Sequence, residues 1–150
     1  MATGDGGART GNPNWSVPSG WQEMAAGQFL AAKFGLTGEG GAQAAVNIST
    51  SSGDGGGWVS NVNRWQKQLG LGELSAEEIN KTTTALDVNG GKAMLVELSG
   101  KDARTGQPAK VVGVMVPQAG QAWFYKLMGD VKVVESQKEA FTKFVQSVKY

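Results

Sequence analysis

Residues 53–71 read GDGGGWVSNVNRWQKQLGL, a glycine run opening into the only long amphipathic segment in the first half of the chain. Apolar residues fall at Trp58, Val62, Trp65 and Leu69, the i, i+4, i+7, i+11 spacing that lays one stripe along a helix. The segment interrupts a series of alternating, strand-like stretches, so it predicts a helix packed across a sheet with that stripe in the core. On one flank Asn61, Arg64 and Gln68 share a face, while Lys67 points to water.

Upstream, residues 28–36 alternate with Leu30, Ala32, Phe34 and Leu36 on one side, and residues 42–49 repeat the pattern with Ala42, Ala44, Val46 and Ile48. Thr37-Gly38-Glu39-Gly40-Gly41 between them supplies hairpin glycines, so the two are antiparallel neighbours. Trp15, Val17 and Trp21 surround Pro18-Ser19-Gly20, a turn-prone triplet expected to interrupt or end a first strand, with Trp15 and Trp21 docked, partly exposed, on the domain edge. Residues 1–13 are glycine-rich and lack an apolar pattern, which predicts a disordered tail; residues 14–150 form a single domain.

Downstream, Ser75-Ala76-Glu77-Glu78 has the form of a capping box and predicts a short helix over 76–80. Residues 83–88 and 92–98 flank Asn89-Gly90-Gly91, an Asn-Gly hairpin signal. The valine-rich run 111–116 reads as a strand. After the turn at Ala119-Gly120-Gln121, Trp123, Tyr125 and Leu127 alternate with Phe124, Lys126 and Met128, a strand covered on both sides. A last helix begins between Asp130 and Ser136, either of which can cap it, and buries Phe141, Phe144, Val145 and Val148. The sum is an α+β fold: a largely antiparallel sheet of about seven strands with helices packed on its faces, an α/β/α sandwich.

Composition narrows the chemistry. The 150 residues carry fourteen basic and thirteen acidic side chains, a formal charge of +1, without a block of one sign, so neither duplex nucleic acid nor an anionic membrane is an expected partner. Cysteine and histidine are both missing from the sequence, which excludes disulfides, thiolate nucleophiles and Ser-His-Asp or Cys-His mechanisms. The N-terminal residues lack the apolar region of a secretory leader; the expectation is a cytoplasmic protein or a mature chain supplied without its leader.

Pro18-Ser19-Gly20-Trp21, Gly55 to Gly57, Asn61-Val62-Asn63-Arg64-Trp65, Gln68-Leu69-Gly70-Leu71, Trp123-Phe124-x-Lys126-Leu127-x-Gly129-Asp130 and Phe141-x-x-Phe144 together resemble a family of uncharacterised bacterial proteins, many of them predicted lipoproteins. The resemblance runs from Trp15 to Tyr150. The element order is similar to the PsbP-like fold, shared by an extrinsic subunit of photosystem II. What the resemblance implies is an α/β/α sandwich and export to the cell envelope or periplasm, with membrane association only through a lipid anchor that this chain does not carry. It implies no catalytic residues.

Candidate site residues are few. The glycine run invites a phosphate-loop reading, because backbone N–H groups at a helix start attract anions. No lysine sits in it, however, and Asp54 is itself an anion there, so a tight strand-to-helix turn with Asp54 near the cap is the simpler reading. Asn61, Asn63, Arg64 and Gln68 are the best polar cluster, since a guanidinium can grip a carboxylate or phosphate through its planar fork. Against this, Arg64 could pair with a nearby acid and the asparagines with loop backbone. Neither a calcium loop nor an apposed carboxylate pair is visible, and no cofactor or metal is expected. The sequence therefore predicts a non-enzymatic binding or scaffolding domain, which the resemblance places in the bacterial cell envelope, taking a protein partner or a small ligand on the surface of Asp54, Asn61, Asn63, Arg64 and Gln68. The alternative is a small hydrolase or ligand-binding enzyme with a site around Asp54 and Arg64.

Overall fold

The computed structural model describes residues 13–150. Seven strands form one sheet: β1 (Gln22–Met24), β2 (Ala32–Thr37), β3 (Gln43–Ser52), β4 (Thr84–Val88), β5 (Gly91–Lys101), β6 (Pro108–Gln118) and β7 (Gln121–Asp130). Three helices accompany them: α1 (Trp58–Gln68), α2 (Ala76–Thr82) and α3 (Val131–Ser147). The spatial order is β1-β2-β3-β7-β6-β5-β4, with every neighbouring pair antiparallel. Two meanders, β1-β2-β3 and β4-β5-β6-β7, thus lie side by side and join where β3 meets β7. The expected α+β architecture is the observed one.

This topology decides where the helices go. Leaving β3 in the middle of the sheet, the chain must reach the far edge at β4, and it does so through α1 and α2, which cross one face over β5 and β6. The Trp58, Val62, Trp65, Leu69 stripe is buried there against Val96, Leu98, Val111, Met115 and Phe124. Trp58 and Trp65 meet edge to face at 5.8 Å, and Trp58 Nε1 donates to Thr83 Oγ1 at 2.8 Å, tying α1 to the end of α2. On the opposite face α3 lays Phe141, Phe144 and Val145 over Val46, Ile48, Val112, Val114, Tyr125 and Leu127. β7 is covered from both sides, as its alternating aromatics predict.

The glycine run is a turn in which Gly53, Gly55, Gly56 and Gly57 all have positive φ, which only glycine adopts without strain. A Cβ on Gly55 would also lie 2.7 Å from the Phe124 ring, so the turn presses directly on the sheet. On α2, Ser75 and Glu78 form the full capping box. Asp130, the last residue of β7, is the cap of α3, its carboxylate accepting from the N–H groups of Lys132 and Val133. Ser136 lies inside the helix and donates to Val133 O, so the later start is excluded.

Two expectations at the N-terminal end are corrected. No strand spans 15–21; the Trp21 N–H closes a turn on Pro18 O, Gly20 takes positive φ, and β1 begins only at Gln22. Trp21 is also not an edge residue: at 8% exposure it belongs to the core, with its ring 5.2 Å from Phe144 and its Nε1 donating to Gln137 Oε1. Trp15 is half-buried, 6.0 Å from the same Phe144 ring. Of the expected tail, residues 1–12 lie outside the described residues; Pro13 is buried and Asn14 pairs with Lys149.

Candidate functional site

Because α1 and α2 run from the middle of the sheet to the β4 edge, they leave the β1-β2-β3 half of that face bare. Register then sets a transverse row across it. Met24 pairs with Lys33, Lys33 with Asn47, Asn47 with Lys126, Lys126 with Gly113, and Gly113 with Val96. Trp65 sits on Gly113, where a Cβ would come within 2.2 Å of the ring, and its helix ends the covered region at that point. Lys33, Asn47 and Lys126 are the part of the row left open.

Around them is a cavity of about 580 Å³ floored by Ala45 and Met128 and walled by Arg64, Lys67 and Gln68 of α1 and by Asp102, Ala103 and Arg104 of the β5–β6 loop. That loop is fastened to the helix, the Ala103 N–H donating to Gln68 O at 2.9 Å and the Lys101 N–H to Leu69 O at 3.0 Å. A second cavity of about 780 Å³ continues from it over Met24, Gly35 and Ala45 toward β1, sharing Lys33, Asp102, Arg104 and Met128. The two make one groove across the uncovered half of the sheet.

Its electrostatics are one-sided. In the cavity beside α1, Lys33, Arg64, Lys67, Arg104 and Lys126 face the one carboxylate of Asp102, which pairs with Arg104 at 3.6 Å, and Glu23 adds a second carboxylate only at the β1 end of the groove. Asp102 is already engaged: it accepts from the Arg104 N–H at 2.8 Å, and that hydrogen bond holds its carboxyl below the ordinary range. Among the described residues, Lys33, Arg64, Lys67 and Lys126 have no carboxylate within 4.0 Å. Lys126 Nζ donates instead to the neutral Gln68 Oε1 at 2.8 Å. Burial pushes the Lys126 ammonium down to about 8, with Arg104, Arg64 and Lys33 adding repulsion and Asp102 opposing it. At the floor, Asn47 Oδ1 is buried and accepts no hydrogen bond. A buried acceptor without a donor costs about 1–3 kcal/mol.

The sequence-predicted cluster divides here. Arg64 and Gln68 line the cavity, and Lys67, one turn along the same face, joins them while remaining exposed. The expected acid partner of Arg64 is absent among the described residues. Asn61 is 3% exposed and turns the other way, its Nδ2 donating to Gly55 O and Gly57 O, where it locks the glycine turn. Asn63 clasps the backbone of Leu74 with both amide atoms, at 2.8 and 3.0 Å. Asp54 is exposed, accepts from the Gly56 N–H, and lines neither the sheet cavity nor the shallower one between Gly56 and Glu73. The hydrolase expectation, which needs Asp54 and Arg64 together, therefore has no geometric basis in these two cavities.

Sequence reasoning missed Lys33, Asn47, Asp102, Arg104 and Lys126. One local signal existed: a lysine at 126 alternating with Phe124 and Met128 in a strand otherwise buried on both faces, a position charged side chains rarely occupy.

No family model and no curated protein matches the chain. Solved structures of similar fold do exist. A Bacteroides thetaiotaomicron protein superposes with a TM-score of 0.52 at 13% identity over 91% of this chain, which spans only 43% of that protein's length. A Pseudomonas aeruginosa protein of unknown function gives 0.50 at 16% identity, covering 91% of this chain and 95% of its own. LpqN of Mycobacterium tuberculosis, involved in cell envelope biogenesis, gives 0.51 at 13% identity, covering 94% and 86%. At such identities the likeness is one of fold alone.

Proposed function

We propose that this domain is a non-enzymatic binding module of the bacterial cell envelope whose groove takes a small anionic ligand. The observation that carries the reading is the cavity floor, where the partnerless Asn47 Oδ1 lies among Lys33, Arg64, Lys67 and Lys126, none of which has a carboxylate within 4.0 Å among the described residues. Like charges held together in a partly buried cavity repel one another, and an anion relieves that cost while forming charge-assisted hydrogen bonds. The ligand must also donate, through a hydroxyl or amine, to satisfy Asn47. Hydroxycarboxylates and sugar phosphates have this combination. The envelope setting draws support from the similarity in fold to LpqN and from the family resemblance in the sequence.

Backbone amide NMR titrations with citrate, glucose 6-phosphate and chloride test the proposal. Citrate or the sugar phosphate should shift the resonances of Lys33, Asn47, Gln68 and Lys126 together, and Arg64→Glu should weaken binding at least about tenfold, the effect of one charged hydrogen bond. Shifts scattered over surface lysines, or none at millimolar ligand, would overturn it.

A further inference from the structure

Among the described residues of the groove, Lys126 is the lysine that combines a half-buried side chain, an uncharged hydrogen-bond partner and several neighbouring cations. We infer that Lys126 is an imine-forming amine: the groove captures an anionic aldehyde or ketone, such as a 2-oxo acid, and Lys126 Nζ binds its carbonyl carbon reversibly. The inference rests on the anion-binding reading and names the chemical class the site takes.

The geometry provides what that step needs. Among the described residues, the charged groups facing Lys126 are Lys33 from β2, Arg64 and Lys67 from α1, and Asp102 and Arg104 from the β5–β6 loop, whereas β3 and β6 present Asn47 and Gly113. Four of those five groups repel the ammonium, and Asp102 is held by the Arg104 N–H. A lysine so placed keeps a usable neutral fraction near physiological pH, the condition under which lysines act as nucleophiles. Gln68 Oε1 at 2.8 Å fixes the position of Nζ. The carboxylate of the ligand would dock on Arg64, Arg104 or Lys33, bringing its carbonyl to the floor of the cavity.

The step balances without a co-reactant. The Nζ lone pair forms the C–N bond, the carbonyl π pair moves to oxygen, and a proton passes from nitrogen to that oxygen to give a carbinolamine. Loss of water then leaves the C=N bond. Asn47, the register partner of Lys126 on β3, is the polar neighbour of the carbinolamine on that side. The reverse sequence releases the ligand unchanged, so the chemistry is one of capture.

Reductive trapping tests this on the whole chain. Glyoxylate with cyanoborohydride at pH 7.4 should modify Lys126 at least about tenfold faster than the exposed Lys132 and Lys143, part of the ~200-fold advantage in neutral amine that a group titrating near 8 holds over an ordinary lysine. Peptide mass spectrometry reads the sites. Citrate should protect Lys126, Arg64→Ala should slow its modification without affecting Lys143, and propanal, which lacks a carboxylate, should label it more slowly than glyoxylate. Lys126→Arg, with its melting temperature as the folding control, should abolish the fast phase. Modification that follows surface exposure, or a propanal rate equal to that of glyoxylate, would overturn the inference. Citrate-induced shifts at Lys33 and Asn47 without fast trapping would remove the imine and leave the anion-binding reading standing; loss of both would remove the two together.

Discussion

Asn47 and Lys126 face each other as a register pair across β3 and β7, yet no hydrogen bond joins them: Lys126 Nζ donates to Gln68 and Asn47 Oδ1 accepts from nothing. The unmet acceptor of Asn47 is a cost in the free protein that the proposed ligand would offset. Asn47→Leu is therefore expected to stabilise the free protein by about 1 kcal/mol, since it removes an unsatisfied acceptor, while abolishing ligand binding. Urea denaturation measures the first effect. A loss of stability of similar size would show that Asn47 has a partner in solution.

Lys126 carries a pH signature. Its folded value of about 8 lies below the ordinary 10.5, so between those values the unfolded chain binds more protons and stability rises with pH. Below pH 8 the buried ammonium is charged and destabilising. Lys126→Met should be more stable than wild type at pH 7 by about 1–3 kcal/mol, and the gap should close as the pH approaches 10. Denaturation curves for both proteins across pH 7–10 decide it.

Trp65 and Gly113 are matched shapes. Gly113→Ala would drive a methyl group into the indole and should cost about 1–3 kcal/mol. Trp65→Ala empties the same space and should cost about 3–5 kcal/mol. Made together, the two should cost less than their sum, because the alanine methyl then enters the vacated volume. Full additivity in a double-mutant cycle would mean that the residues are not in contact.

Glu97 fastens α3 to the sheet. It meets Lys138 of α3 and, at 3.1 Å, Lys110 of β6, which also reaches Glu135 at 3.6 Å. The Lys138 hydrogen bond, with Lys110 assisting, holds the Glu97 carboxyl below its ordinary 4.5 against the opposing effect of burial. A depressed carboxylate contributes stability above its unfolded value and loses it as pH falls through the folded one. Glu97→Gln should cost about 0.5–1 kcal/mol at pH 7, as partly exposed pairs do, and nothing once the pH is below that folded value. Urea midpoints at pH 7, 5 and 3 give the comparison.

The start of α3 offers a clean pair of substitutions. Asp130→Ala removes the acceptor for two backbone N–H groups and should cost about 1 kcal/mol. Ser136→Ala removes only a hydroxyl bonded within the helix and should stay within about 0.5 kcal/mol of wild type. Thermal melting of the two variants separates them.

What the sequence determined by itself is what short-range geometry determines. The Trp58, Val62, Trp65, Leu69 stripe, the Ser75–Glu78 box, the Asn89-Gly90 hairpin and the two-sided burial of Trp123 to Leu127 each follow from residues a few positions apart, whose spacing sets which face they share. The antiparallel sheet of seven strands follows from those turns. The tertiary structure alone decided the groove, because Lys33, Asn47 and Lys126 become neighbours only through the register of β2, β3 and β7. It also decided which face stays bare, since α1 and α2 must travel from β3 to the distant β4 edge and cover only what they cross. The same long-range packing turned Asn61 and Asn63 into backbone clasps, buried Trp21 beneath α3, and left Arg64 without the acid expected beside it among the described residues. A local pattern shows which way a side chain points; which distant strand brings the charge that meets it depends on pairings with no footprint within a few residues.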